Sequence, residues 1–120
     1  MNAYNNIKAE IGDIIIMIGE NFDLVLDIYS KDDNGVLTAY DLGSKTVRME
    51  VRATKTGAVL LTMVSPTNIT ISGDDNERIT FSKTITELGE GTNYYDLQVD
   101  EDDYTIRAGR MIAKAQITDD

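Results

Sequence analysis

Apolar and polar residues alternate along most of the chain with a period of two. The segments NFDLVLDIYS (residues 21–30) and KTVRMEVR (residues 45–52) each place most of their apolar side chains on one face. Successive side chains of a strand point to opposite faces, so this pattern predicts half-buried antiparallel strands. The predicted inward positions are Phe22, Leu24, Leu26, Ile28, Val47, Met49 and Val51.

Turn-forming residues separate the predicted strands. Asp33, Asn34 and Gly35 are residue types that tolerate a positive φ, so they predict a tight hairpin. Further turns are predicted at Thr56-Gly57, GDDN (73–76) and DEDD (100–103). The segment KTITELGEG (83–91) breaks the alternation, which is consistent with one helical turn or with an irregular crossover between sheets. Gly109 interrupts the last apolar stretch and predicts a bulge or a bend.

The strand pattern also predicts the fold class. Several short strands at regular spacing, without a convincing amphipathic helix, favour an all-β protein built as an antiparallel β-sandwich. A chain of 120 residues suits one domain. We therefore predict an N-terminal arm at residues 1–12 and a single β-sandwich domain at residues 13–120.

Two stretches are apolar on both faces. In GDIIIMIGE (12–20), Ile14, Ile16 and Ile18 are expected to fill the core, so the side chains between them need separate cover. The stretch VLLTMV (59–64) has the same character. We predict an interface with another subunit or a neighbouring protein, formed by Ile15, Met17, Leu60 and Val64. The alternative is intramolecular cover by the 83–91 crossover or by the N-terminal arm.

The composition excludes several classes of function. The chain contains no cysteine and no histidine, which removes thiolate metal sites, cysteine nucleophiles and the usual partner of a nucleophilic serine. A net charge of −10 disfavours binding to nucleic acid and to anionic membranes. We therefore expect no catalytic residues, no cofactor and no metal site, and a protein that is not an enzyme. No signal peptide precedes the apolar run, which is too short to span a bilayer, so synthesis in the cytoplasm is expected.

Clustered carboxylates and tyrosines offer two other interpretations. Acidic pairs at 32–33 and 74–75, and the run at 100–103, suggest calcium, but their spacing does not match a calcium-binding loop, and acidic hairpin turns are the better interpretation. A glycan-binding module is the alternative function, and it would need an exposed aromatic platform. The candidates for that platform are Tyr29, Tyr40, Tyr94 and Tyr104. In the adjacent pair Tyr94 and Tyr95, we expect one ring in the core and one at the surface.

The order of several motifs along the chain points to one family. These motifs are the strand at residues 22–26, the turn at 33–35, Asp-Leu-Gly at 41–43, Tyr-Asp-Leu at 95–97 following Gly91, and Gly109. Together they resemble the immunoglobulin-like domain at the N-terminus of upper baseplate proteins of tailed bacteriophages and of related small phage structural proteins. The resemblance extends from about Asp13 to Ile117.

That resemblance implies an immunoglobulin-like β-sandwich and a role as a virion structural protein without catalytic residues. The expected position in the particle is the tail, the baseplate or the head. At the head, the protein would decorate the capsid. The family's domain usually heads a longer chain, whereas a small standalone particle protein is expected here. Its expected partners are other virion proteins, in a homo-oligomer or as part of a larger assembly, after synthesis in the host cytoplasm.

Overall fold

The structure is a computed structural model that describes residues 10–115. All regular elements within this range are β-strands, which confirms the predicted all-β class. The strands are β1 (Glu10–Ile11), β2 (Ile14–Met17), β3 (Asn21–Asp27), β4 (Tyr29–Lys31), β5 (Leu37–Ala39), β6 (Val47–Arg52), β7 (Val59–Val64), β8 (Ile69–Ser72), β9 (Arg78–Thr84), β10 (Gly91–Val99) and β11 (Tyr104–Lys114). Most of the predicted arm, residues 1–9, and the last five residues of the predicted domain lie outside the described range, so that division stays a prediction.

The strands form two main sheets and one separate hairpin. The large sheet has the order β1-β11-β10-β6-β7, with β2 also paired to β11, and the small sheet has the order β3-β9-β8. Strands β4 and β5 pair only with each other among the described strands and form the β4–β5 hairpin. The pairings are antiparallel except that β1 and β2 run parallel to β11. The prediction of a purely antiparallel arrangement was wrong here. Because almost the whole chain connects β2 to β11, no short turn dictates their relative direction.

The inward faces of both main sheets bury one apolar core. Phe22 of β3 and Phe81 of β9 contact each other there, with ring centroids 5.7 Å apart. Fully buried members from the large sheet are Val47, Met49, Val51, Met63, Leu97, Val99 and Met111. The predicted inward positions are therefore confirmed, although Leu24 and Leu26 on the edge strand β3 are only partly buried.

The connections follow the predicted turns. The Asp32 carboxylate accepts hydrogen bonds from the backbone N–H groups of Asn34 and Val36, both at 2.9 Å, and Gly35 has a φ of +81°. These contacts confirm the predicted hairpin. The segment after β9 is an irregular crossover with no helical turn, and it buries Ile85 and Leu88 in the core. Of the two alternatives for this segment, the crossover is correct.

Gly109 has a different role from the predicted bulge. The pairing of β10 with β11 runs unbroken through Gly109, and the register shift lies instead between Leu97 and Gln98. A Cβ atom at position 109 would overlap the carbonyl oxygen of Gly12, which lies in the link between β1 and β2. That oxygen also accepts a hydrogen bond of 2.9 Å from the Tyr95 hydroxyl. Gly109 is therefore needed for the close approach of the N-terminal strands to β11.

Candidate interaction surfaces

The predicted interface residues lie at two opposite edges of the large sheet. Ile15 and Met17 are on β2, whereas Leu60 and Val64 are on β7, and the strands β11, β10 and β6 lie between them. At about 4.8 Å per strand pair, the two edges are roughly 19 Å apart along the sheet. The structure therefore does not bring these four residues together into one patch within the sheet.

Each edge nevertheless carries exposed apolar surface. Ile15 is 60% exposed and Leu60 is 43% exposed, whereas Met17 and Val64 are half-buried. Ile14 and Ile16 are buried and Ile18 packs partly against the core, as predicted. The exposure of Ile15 means that the 83–91 crossover does not cover it. The other intramolecular alternative, cover by the N-terminal arm, involves residues outside the described range.

A third apolar surface projects from the fold on the β4–β5 hairpin. All residues from 31 to 38 are exposed, and within this segment Val36 is 56% and Leu37 is 62% exposed. The base of the hairpin is held by backbone hydrogen bonds from Ile28 to the Glu77 carbonyl (2.8 Å) and from Tyr40 to the Ile28 carbonyl (3.0 Å). Sequence reasoning missed this surface, although two adjacent apolar residues directly after an Asn-Gly turn were a usable signal.

A depression on the outer face of the large sheet centres on Tyr94. Strand register places Tyr94 directly between Arg52 of β6 and Arg110 of β11. The Nζ atom of Lys55 lies 5.6 Å from the centroid of the Tyr94 ring. This Tyr94 depression has a volume of about 670 Å³. Its other lining residues are Asp13, Tyr95, Asp96, Ala108 and Gly109.

Ion pairs fix the charged groups around the Tyr94 depression. Arg110 donates hydrogen bonds from Nε (3.1 Å) and Nη2 (2.6 Å) to Asp13, and these bonds lower the pKa of the Asp13 carboxyl. Arg52 donates from Nη2 to Glu50 at 3.1 Å, and its Nη1 atom lies 3.7 Å from Oδ2 of Asp96. The other carboxylate oxygen of Asp96, Oδ1, is buried without a hydrogen-bond partner among the described residues. Hydrogen-bond donors and acceptors are thus held side by side around one aromatic ring.

The tyrosines proposed as an aromatic platform have different environments. Tyr40 is buried, and Tyr104 is partly buried, which raises the pKa of its hydroxyl. Tyr95 is buried, while Tyr94 is half-buried beside solvent, so the prediction for this adjacent pair is confirmed. Of the four candidates, Tyr29 on the β4–β5 hairpin is exposed, and both Tyr94 and Tyr104 are half-buried.

The acidic turn at residues 100–103 is tied to the start of β6. The Glu101 carboxylate accepts hydrogen bonds from the backbone N–H (2.6 Å) and hydroxyl (2.9 Å) of Thr46, and the backbone bond is the main reason that the pKa of Glu101 is lowered. Two ion pairs also hold this turn, Arg48 with Asp100 and Lys45 with Asp102. Within residues 10–115, no cluster of three or more acidic residues is arranged to hold a metal ion.

Comparisons with family models and with curated proteins found no match to this chain. The part of the chain that the structure describes contains no helix long and apolar enough to cross a membrane. The surfaces described above are therefore the physical basis for assigning a role.

Proposed function

We propose that this protein is a non-catalytic structural component of a bacteriophage virion that acts through protein–protein contacts. The observation that carries the proposal is the β4–β5 hairpin, which projects Val36 and Leu37 into solvent. Its position in the particle is the tail, the baseplate or the surface of the head. The protein is made in the host cytoplasm and assembles with other virion proteins, either as a homo-oligomer or within a larger assembly. Neither nucleic acid nor a membrane is among its partners.

The proposed fold within the all-β class is an immunoglobulin-like β-sandwich. Two features support it: the two main sheets share one apolar core, and the chain has motifs that resemble those of the phage baseplate domain. The Tyr-Asp-Leu motif at 95–97 lies in β10, the central strand of the large sheet, where Tyr95 and Leu97 are buried. The motifs that resemble this family therefore lie partly at core positions and partly in turns.

The placement of apolar surface favours assembly with neighbours. A two-stranded hairpin is only marginally stable in water, so burial of Val36 and Leu37 against a partner would stabilise the β4–β5 hairpin. Edge strands with exposed apolar side chains are also common sites of association. The large sheet has such a strand at each edge, with Ile15 on β2 and Leu60 on β7. Three separate apolar surfaces are in keeping with a subunit that contacts more than one neighbour.

The chemistry of the carboxyl groups is in keeping with a non-catalytic role. A general acid needs a raised pKa at neutral pH. Hydrogen bonds from Arg110, Arg78 and the Thr46 backbone instead lower the pKa values of three carboxyl groups. Those groups are Asp13, Asp27 and Glu101. They act as hydrogen-bond acceptors that connect strands and turns.

The virion assignment is tested by mass spectrometry of density-purified particles from the phage or induced prophage that encodes the chain. The expected result is that peptides of this chain co-purify with the particles in a fixed ratio to the major structural proteins. Peptides that are abundant in the unfractionated lysate but absent from purified particles would overturn the assignment.

A further inference from the structure

We propose that the Tyr94 depression binds a neutral, hydroxyl-rich saccharide. This binding function is separate from the structural role and does not depend on it. Three features of the depression support this binding: an aromatic ring that lines it, hydrogen-bond donors and acceptors fixed around that ring, and the partly exposed carboxylate of Asp96, which has an oxygen beyond hydrogen-bond distance of Arg52.

The shape of the depression provides a stacking platform. Tyr94 is half-buried and lines the depression, and the flexible Lys55 side chain, whose Nζ atom lies over the ring 5.6 Å from its centroid, is the group that a stacked sugar would displace. Near Tyr94, Ala108 has only a methyl side chain, which leaves open space in the depression. Aromatic rings combine a large apolar face with a polar edge and are well suited to cover the apolar face of a sugar ring. A volume of about 670 Å³ lies within the range of roughly 300–1,000 Å³ that is typical of small-molecule sites.

The charged side chains around the Tyr94 depression are suited to hydrogen-bond the hydroxyl groups of a sugar. A hydroxyl group both donates and accepts hydrogen bonds, so neighbouring hydroxyls of a sugar pair well with a guanidinium and a carboxylate placed side by side. Arg110 uses two of its three nitrogens on Asp13, and Arg52 contacts Glu50, so the guanidinium groups are positioned before any ligand arrives. Such preorganisation reduces the entropy lost on binding.

Asp96 supplies a specific reason for a donor ligand. Its side chain is 31% exposed, and its Oδ2 atom lies 3.7 Å from Nη1 of Arg52, which is beyond hydrogen-bond distance. This oxygen can therefore accept a hydrogen bond from a ligand hydroxyl. The adjacent position on β11 is Ala108, whose small side chain leaves the carboxylate accessible from the depression.

The charge balance favours a neutral ligand over an anion. Arg52, Lys55 and Arg110 contribute three positive charges, and the nearby carboxylates of Asp13, Asp96 and Glu50 offset them. The whole chain carries a net charge of −10, which repels phosphates, nucleic acid and acidic peptides. A saccharide without charged groups gains the hydrogen bonds without that repulsion.

The test is a titration of isotope-labelled protein with glucose, galactose, N-acetylglucosamine and maltotriose, followed by backbone amide NMR shifts. At least one of these sugars should shift the amides around Arg52, Tyr94 and Arg110. Substitution Tyr94→Ala should weaken that binding by about tenfold or more, and Asp96→Asn should weaken it too. The matched control is Tyr29→Ala, which removes an exposed tyrosine that does not line the depression and should leave the affinity unchanged. Thermal unfolding of each variant verifies that it is folded.

Three outcomes would overturn the proposal. The first is that none of the four sugars shifts these amides. The second is that Tyr94→Ala and Asp96→Asn both bind with the affinity of the original protein. The third is that inorganic phosphate shifts the same amides at lower concentration than any sugar, which would identify an anion site. Failure to find the protein in virions has no bearing on these results, so the two proposals fail independently.

Discussion

Substitution Gly109→Ala tests how the N-terminal strands are attached to the fold. The added Cβ would overlap the carbonyl oxygen of Gly12, which is a backbone atom and cannot rotate away. The chain can relieve this overlap in two ways. Either the link between β1 and β2 shifts away from β11, or both strands detach from it.

The rearrangement that loses less free energy determines the expected loss of stability. Local displacement around an extra methyl group in a packed site typically costs about 1–3 kcal/mol. Detachment would expose Ile14 and Ile16, with a loss of about 1.5–3 kcal/mol for each side chain. The freed backbone would regain about 1–2 kcal/mol of conformational freedom per residue, so detachment competes with displacement. We expect Gly109→Ala to lower the free energy of unfolding by about 1–3 kcal/mol, whichever route is taken.

Urea denaturation followed by circular dichroism measures this change, with Gly89→Ala as the matched control. A Cβ at position 89 would have no atom within 4 Å, and Gly89 does not have a positive φ. The control should therefore be unchanged or slightly more stable. Amide hydrogen exchange should also accelerate in β2 and remain slow in the small sheet. If Gly109→Ala stays within about 0.5 kcal/mol of the original protein, the close approach of Gly12 to β11 is refuted.

Three further predictions follow from individual contacts. Tyr95→Phe removes the hydrogen bond to the Gly12 carbonyl and should cost about 0.5–1.5 kcal/mol in urea denaturation; no loss would mean that this bond does not contribute. The hydrogen bond from Arg78 lowers the pKa of Asp27 below its ordinary value of 3.8. The ion pair therefore stabilises the folded protein at pH values above 3.8, and this stabilisation is lost as the pH falls through the lowered pKa. Asp27→Asn should reduce the loss of stability on acidification, and an unchanged pH profile would contradict this. The double variant Ile15→Thr with Met17→Thr should remain folded by circular dichroism and lose self-association in light scattering, whereas unfolding would show that these residues belong to the core.

The local parts of the fold could be predicted from the sequence. Alternation in β6 and β10 identified their buried faces, because the period of two depends only on neighbouring residues. The Asn34-Gly35 turn was equally visible, since its positive φ requires particular residue types. The same local reasoning separated Tyr94 from Tyr95.

The long-range parts could not be predicted in this way. Nothing near Ile14 indicates that it pairs with Met111 in a parallel ladder, because the two residues are far apart in sequence. No local sequence pattern indicated the Tyr94 depression either, because Arg52, Tyr94 and Arg110 become neighbours only through the register of three strands. The division of the predicted interface between β2 and β7 likewise depends on strand order.

The proposal that the β4–β5 hairpin mediates assembly into the virion is tested by measuring how well hairpin variants are incorporated into particles. Phage or prophage lacking the gene would be complemented with the original chain, with the double variant Val36→Thr plus Leu37→Thr, or with Val25→Thr. Val25 is also exposed, at 55%, but belongs to β3 of the small sheet and not to the β4–β5 hairpin. With all variants shown to be folded, we expect the hairpin variant to be missing from purified particles and Val25→Thr to be present at the original level. Equal incorporation of the hairpin variant would contradict it.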